Sequence, residues 1–256
     1  MKIFINDTEI KTILKGVSIQ GSLSSASRIA KFEFVYSPLS DIPEYRVKIG
    51  SNVLISDNNM NVFKGEVIEI VYIEEQNIIK IQAQDYVSLL LKTYVKGRYQ
   101  GSLFEIISKV LGGFNFNLGV DLNKIKQSIN IVSFGNLTAF DVITSALYAL
   151  YKDDFKLYTD GYSNLKVLFP LVSKSSFELD CRKNVVSSMF KADVKGGFSK
   201  ITIRDVNSYI VAGDVIKLVD FDKKISGEFV VEDDCHIFSD THLVTLTLKE
   251  RGEYVL

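Results

Sequence analysis

The chain opens on period-two patterning. Lys31-Phe-Glu-Phe-Val-Tyr36 places Phe32 and Phe34 on one face, and Ile78 to Ala83 places Ile79, Ile81 and Ala83 opposite Lys80 and Gln82. Asn52-Val-Leu-Ile-Ser56 is a short apolar run before a polar turn at Asp57-Asn-Asn59, and Val67 to Ile73 follows it. Strict alternation between turn signals predicts strands of a meander or small barrel. The middle changes period. Ser102-Leu-Phe-Glu105 is a capping box, in which each side chain reaches the other's backbone N–H, and it opens a helix predicted to end at Gly112-Gly113 in left-handed geometry. A second helix is predicted from Thr138, with Asp141 in its first turn favoured by the helix dipole. Phe140, Ile143, Leu147 and Leu150 recur at helical spacing and are its predicted core face. A hairpin from Phe155–Thr159 to Leu165–Phe169, turning at Asp160-Gly161, completes the insert. Alternation returns from Ser188: Ile201 with Ile203, then Val244, Leu246 and Leu248 against Leu243, Thr245 and Thr247.

The first and last thirds share an order of signals. Gly50-Ser-Asn-Val-Leu-Ile-Ser-Asp57 and Phe63-Lys-Gly-Glu-Val-Ile68 parallel Gly213-Asp-Val-Ile-Lys-Leu-Val-Asp220 and Ile225-Ser-Gly-Glu-Phe-Val230. Each copy then ends in an alternating strand, Ile78–Gln84 or Leu243–Leu248. Gly50 and Gly213 read as tight turns into a strand, and Gly65 and Gly227 as bulges where a barrel curls. The expectation is a duplication. The predicted fold is mainly β with an α+β insert, two similar small β-barrels flanking a two-helix plus hairpin domain. The domains are 1–92, 93–175 and 176–256, with residues 45–85 and 208–250 superposing.

Charge narrows the partners. Residues 1–92 carry 10 Lys+Arg against 11 Asp+Glu, 93–175 carry 9 against 6, and 176–256 carry 11 against 14. No third has the basic excess that phosphate binding requires, so nucleic acid is not an expected partner. No apolar run approaches the roughly 18 residues of a membrane span. The start, Met1-Lys-Ile-Phe-Ile-Asn-Asp7, turns polar too early for a signal peptide, so assembly in the cytoplasm is expected. Cys181 and Cys235 could bridge, but isolated buried thiols are the commoner outcome in a chain made there.

Catalytic chemistry finds no pattern. GxxxxGK[ST] and a strand-borne GxGxxG are absent, and Gly161-Tyr-Ser163 lacks the second glycine of a nucleophile elbow. The acidic pairs Glu74-Glu75 and Asp153-Asp154 sit in turn-like stretches and read as solvated carboxylates. Asp233-Asp-Cys-His236 and Ser239-Asp-Thr-His242 would place two imidazoles across a hairpin. His236 and His242, with Asp233 or Asp240, are thus the weak metal candidates; the alternative is a plain hairpin with a buried thiol. No cofactor is expected. Tyr86, Tyr94, Tyr99, Tyr148, Tyr151, Tyr158 and Tyr162 are candidate interface anchors, Tyr being enriched at protein interfaces.

The stretch Ile19-Gln-Gly-Ser-Leu-Ser-Ser-Ala-Ser-Arg-Ile-Ala-Lys-Phe-Glu-Phe34 resembles the opening of the XkdQ/YqbQ-like baseplate hub proteins of contractile prophage tails. Lys48-Ile-Gly-Ser-Asn-Val-Leu-Ile55, Phe63-Lys-Gly-Glu-Val67 and Ala83-Gln-Asp-Tyr-Val-Ser-Leu-Leu-Leu-Lys92 extend the likeness. So do Leu137-Thr-Ala-Phe-Asp-Val-Ile143 and His242-Leu-Val-Thr-Leu-Thr-Leu248, and their order spans nearly the whole chain. The resemblance implies a non-enzymatic homotrimer at the tail tip of a phage or R-type bacteriocin particle. Its partners would be a tail tube or tube-initiator protein, the central spike and other baseplate proteins. Three chains with two barrels each would adapt a sixfold tube to a threefold spike, the insert facing the spike. Competing expectations are a tail-tip peptidoglycan hydrolase component, a tube or sheath subunit, and the spike base of a related secretion system. A composition rich in Asn, Ile and Lys suggests an AT-rich genome.

Overall fold

The computed structural model describes residues 1–11, 13–35, 47–58, 60–114, 117–118, 127–152, 155–159, 164–168, 177–180, 183, 185–191, 198–204, 209–219 and 227–250. The predicted turn at Asp160-Gly161, Ser163, Tyr162, the Asp153-Asp154 pair and Cys181 lie outside them, as do Asn59, Phe169, Asp220 and Ile225.

The first part of the chain forms β1 (Lys2–Ile5), β2 (Thr8–Ile10), β3 (Ile13–Ser22), β4 (Ser25–Val35), β5 (Asn52–Asp57), β6 (Met60–Ile73) and β7 (Ile78–Asp85). The middle holds α1 (Val87–Lys92), β8 (Tyr94–Ser102), α2 (Leu103–Leu111), β9 (Asn117–Leu118), β10 (Ser128–Thr138), α3 (Ala139–Tyr151), β11 (Lys156–Thr159) and β12 (Asn164–Leu168). The last part gives β13 (Phe177–Asp180), β14 (Val185–Lys191), β15 (Phe198–Arg204), β16 (Val215–Val219), β17 (Gly227–Phe238) and β18 (His242–Glu250).

Thirteen of these strands belong to one curled sheet, in the order β14-β15-β18-β17-β3-β4-β7-β6-β5-β1-β2, with β16 pairing both β17 and β13. The alternation seen in sequence sets which side chains enter the core. Phe32, Phe34, Ile79, Ile81 and Ala83 are buried in one cluster with Ile3, Ile55 and Val67. Ile201, Ile203, Val244, Leu246 and Leu248 are buried in another with Ile216 and Phe229. A smaller cluster of Leu23, Val211, Ala212, Val215 and Val230 lies where the two meet.

The strand pairing repeats. In the first part the order is β3-β4-β7-β6-β5; in the last it is β14-β15-β18-β17-β16. Val17 pairs Phe32 and Phe32 pairs Ile81, as Ser188 pairs Ile201 and Ile201 pairs Leu246. The register of β6 on β7 slips between Val67 and Glu69, and that of β17 on β18 between Val231 and Asp233. Both slips follow corresponding residues, Val67 and Val231, so the repeat extends to the irregularity in its pairing.

The insert has its own core, with Leu90, Leu103, Ile106, Ile107, Val142, Ile143 and Leu147 buried together. The box at Ser102 and Glu105 is formed in full. Thr138 and Asp141 form a second one, so Asp141 acts as a capping partner as well as a charge at the helix dipole. Two expectations are corrected. Gly112 ends α2 at φ −59°, in right-handed geometry, and Gly113 is not among the positive-φ glycines. The buried face of α3 is Ala139, Val142, Ile143, Ala146 and Leu147, while Phe140 and Leu150 are only half-buried at its margin. Small alanines let α3 approach its neighbours on that face, which a search for large apolar residues overlooks. The insert also contains an antiparallel ribbon of β8 and β10 beyond the predicted hairpin, which appears as β11 and β12.

Candidate functional site

Gly50 and Gly213 have φ of +84° and +99°, left-handed values that favour glycine. The bonds around them match. The Gly50 N–H donates to the Val67 carbonyl at 2.8 Å and the Val67 N–H to the Ser51 carbonyl at 2.9 Å. The Gly213 N–H donates to Val231 at 2.9 Å and the Val231 N–H to Asp214 at 2.9 Å. Side chains repeat the pattern: Ser51 Oγ accepts from the Lys48 N–H at 3.0 Å, and Asp214 Oδ2 from the Val211 N–H at 2.9 Å.

The other two glycines occupy different rungs. Gly65 pairs Val53, three residues beyond Gly50; Gly227 pairs Leu218, five beyond Gly213. Phe229 is the residue at the rung of Gly65. A Cβ on Gly65 would meet the Gln84 carbonyl oxygen at 2.1 Å, whereas among the described residues one on Gly227 would meet only the Phe229 ring, at 3.6 Å. The register slips at Val67/Glu69 and Val231/Asp233, rather than these glycines, are the pairing irregularities the two units share.

The two repeated units join where β17 pairs β3, antiparallel, from Asp233 opposite Ser22 to Phe238 opposite Val17. A buried cluster of charged and polar groups lies at this seam. Arg28 of β4 donates through Nη1 and Nη2 to Asp234 of β17 at 2.9 and 2.6 Å, and Asp234 Oδ1 also accepts the Ala212 N–H at 2.7 Å. The two side chains are 4% and 0% exposed, so the pair is removed from water. Burial opposes the guanidinium charge most strongly of any single cause, yet Asp234, Tyr209 and Asp85 together outweigh it and hold Arg28 above its ordinary value. Asp85 accepts from Ser27 Oγ at 2.8 Å and from the Arg28 N–H at 2.9 Å, fixing the start of β4 against the end of β7. Burial pushes its carboxyl up to about 6 despite these bonds, and Asp214 is likewise raised by burial to about 6.

His236 lies on the same inward face. Its Nε2 is 2.8 Å from the Ile210 carbonyl and its Nδ1 is 3.0 Å from His242 Nε2. Burial lowers its pKa to about 3, so the ring is neutral and donates from Nε2 to Ile210. Tyr209 stacks on His236 with ring centroids 4.2 Å apart, and its hydroxyl donates to the Val62 carbonyl of the first unit at 3.1 Å. Phe238 stacks on His242 at 4.2 Å.

The two histidines therefore meet as a hydrogen-bonded, stacked pair. Asp233 points to the opposite, exposed face of β17, and Asp240 is exposed in the turn beyond it. Among the described residues no group of three or more His, Cys, Asp or Glu is placed to hold a metal ion. Cys235 is a free thiol, half-buried, 3.8 Å from Ser18 Oγ and 3.7 Å from Gln20 Nε2. Of the tyrosine anchors, Tyr94 and Tyr148 are exposed at 67% and 55%, Tyr99 is buried, and Tyr86 and Tyr151 are half-buried. The Tyr158 side chain and Tyr162 fall outside the described residues.

A concavity of about 360 Å³ on the outer face of the sheet is mainly apolar, with Val71, Ile81 and Ile237 in its lining. The charges around it include Lys80 and Glu33, which pair at 3.1 Å instead of converging on the hollow. The buried ionisable groups of the seam are committed to backbone or to one another, the arrangement of a structural joint. The sequence signal for that joint was weak: Arg28 appeared only as part of a motif, and Asp234 as one acid in a cluster.

The fold matches those of solved phage-tail proteins. The structure matches a 43 kDa tail protein of prophage MuSo2 from Shewanella oneidensis with a TM-score of 0.74 at 12% identity, covering 99% of this chain and 98% of that one. It matches a tail protein from Neisseria meningitidis MC58 with a TM-score of 0.75 at 11% identity, covering 98% and 96%. It also matches an Escherichia coli component of the type VI secretion system, described as structurally similar to the T4 bacteriophage tail proteins gp27 and gp5. There the TM-score is 0.65 at 14% identity, and coverage is 98% of this chain and 77% of that one. No curated protein matches by sequence.

The YQBQ-like family matches residues 17–168, more than half of the chain. The chain belongs to the YQBQ-like family, and its fold is that of solved phage-tail proteins.

Proposed function

We propose that the chain is a non-enzymatic baseplate hub, working as a trimeric ring that adapts a sixfold tail tube to a threefold spike. The observation that carries this reading is the internal duplication. One chain holds two units with the same strand order, the same glycine turn and the same register slip, joined edge to edge. Three such chains offer six near-equivalent surfaces to a tube and three copies of the insert to a spike, and a ring closed by symmetry leaves no unfilled contact. The domain partition 1–92, 93–175 and 176–256 belongs to the same proposal and is supported by three main hydrophobic clusters, although Val87 and Leu90 pack in the insert's cluster and Phe238 in that of the first unit. The partners would be a tube or tube-initiator protein, the spike and other baseplate proteins.

A second reading, the spike base of a secretion system, draws on the likeness to the Escherichia coli component. Quantitative mass spectrometry of sedimentable particles, after prophage induction in the source bacterium, tests the hub reading. The expected result is a few copies per particle, far below the tube protein. Abundance equal to the tube would make the chain a polymer subunit, and absence from tail particles would favour the secretion-system reading.

A further inference from the structure

The ribbon of β8 and β10 turns one face to the core of the insert and the other to solvent. Val95, Tyr99, Ile129, Ile131 and Leu137 pack into the insert's cluster. Alternation then sends Lys96 and Arg98 of β8, and Val132 and Phe134 of β10, to the outer face, where all of them are exposed. Cross-strand pairing sets Phe134 opposite Lys96 and Val132 opposite Arg98, so two apolar side chains lie beside two cations. Phe134 is 81% exposed, the highest value among the large apolar side chains of the described residues.

The local bonding holds these side chains in place. The register of β10 on β8 slips between Phe134 and Leu137, and Gly135 at φ +97° takes the left-handed position in that bulge. Ser133 Oγ donates to the Val95 carbonyl at 2.6 Å and accepts from the Gly135 N–H at 3.3 Å, which ties the bulge to β8 and fixes the strand that carries Phe134. Arg98 Nε donates to Asn130 Oδ1 at 3.0 Å, so the guanidinium is anchored at one end only. Neither β8 nor β10 contains an Asp or Glu. Glu105, the one carboxylate of α2, is spent on the Ser102 cap. The positive charge of this face is therefore not balanced within the ribbon.

We propose that the outer face of the β8–β10 ribbon docks a different protein of the tail particle, one whose contact surface offers an apolar pocket to Phe134 and carboxylates at its rim to Lys96 and Arg98. The inference rests on the baseplate reading and gives the chemistry of one partner. Charge complementarity selects the occupant. Two ribbons meeting face to face would bring cation against cation, which disfavours a second copy. Two cations and one ring are too few for a nucleic acid backbone, where each neutralised phosphate takes its own Lys or Arg. An exposed aromatic side chain beside an oriented Arg is the composition of a protein-interface hot spot, with the apolar group central and the charges at the rim.

The test is Phe134→p-benzoylphenylalanine in the full-length chain, which keeps an aromatic anchor and adds a photo-reactive ketone. Particles carrying it are purified after prophage induction and irradiated, and the linked peptides are sequenced by mass spectrometry. The expected result is one main product joining this chain to a different protein, with Asp or Glu flanking the linked residue. In a Lys96→Gln, Arg98→Gln background the yield per incorporated chain should fall about tenfold. Linkage to a second copy, to nucleic acid or to a segment without carboxylates overturns the proposed partner, and an undiminished yield in that background overturns the role of the charges. A chain incorporated at a few copies per particle that gives no product overturns the docking face and leaves the hub reading standing. A chain absent from the particles, with or without the substitution, overturns the hub reading and this partner with it.

Discussion

Asp234→Ala isolates the joint between the two units. The substitution removes both acceptors of the Arg28 guanidinium, at 2.9 and 2.6 Å, and the acceptor of the Ala212 N–H at 2.7 Å. Arg28 cannot turn to water, because its side chain is only 4% exposed and its Nε is already buried without an acceptor among the described residues. A buried charge stranded in this way costs about 3–5 kcal/mol. With each kcal/mol worth about 2–4 °C in a chain of this size, the melting temperature should fall by roughly 6–20 °C. Urea unfolding of wild type and variant gives the free energy directly. The companion variant, Arg28→Met with Asp234→Asn, keeps an oxygen for the Ala212 N–H and removes the stranded charge. It should recover at least half of the loss. The reasoning fails if Asp234→Ala costs less than about 1 kcal/mol, or costs as much in the Arg28→Met background as in wild type.

Two further outcomes follow from the same region. Gly16 has φ +86°, and an added Cβ would sit 2.0 Å from the Phe238 carbonyl oxygen, so Gly16→Ala should force β3 from β17. Unfolding should show a loss of roughly 2 kcal/mol or more, and a loss below ~0.5 kcal/mol would refute the close approach. Asp85 binds its proton more tightly folded, at about 6, than at its ordinary 3.8. Its contribution to stability is therefore full below pH 4 and lost as the pH rises through 6. Asp85→Asn removes that loss, so between pH 4 and 7 the variant should gain up to about 3 kcal/mol relative to wild type. Parallel stability profiles over that range would count against it. Asp214 acts in the same sense, and His236 in the opposite one as the pH falls from 6.5 towards 3, so only the difference between variant and wild type is diagnostic.

Period-two alternation made the barrel strands legible, because a face buried on one side forces every second residue to be apolar. Ile79, Ile81 and Ala83, and likewise Val244, Leu246 and Leu248, are buried as their spacing required. The capping box at Ser102 was legible because its geometry is local. The ribbon of β8 and β10 was not. Gly97, Gly101 and Gly135 interrupt it with positive φ, and Val132 and Phe134 are exposed, so the alternation that marks a half-buried strand is missing. The duplication was legible in its order but misaligned at Gly65 and Gly227, since a shared Gly-Glu drew the eye away from the rung. The joint stayed hidden for another reason. Arg28 and Asp234 are 206 residues apart, and nothing local separates a buried charge pair from two solvated ones.

That separation also bears on how the chain is made. β3 is translated early, and its partner β17 begins at Gly227. At about 5–20 residues per second, synthesis leaves the edge of β3 waiting for on the order of ten to forty seconds before β17 can reach it. Pairings between strands so distant in sequence also form slowly, because a long loop must close before any contact repays it. Until then the flank of the first unit that β17 covers lacks its partner strand. Gln20 and Ser22, polar residues along that flank, keep it less adhesive until its own β17 arrives.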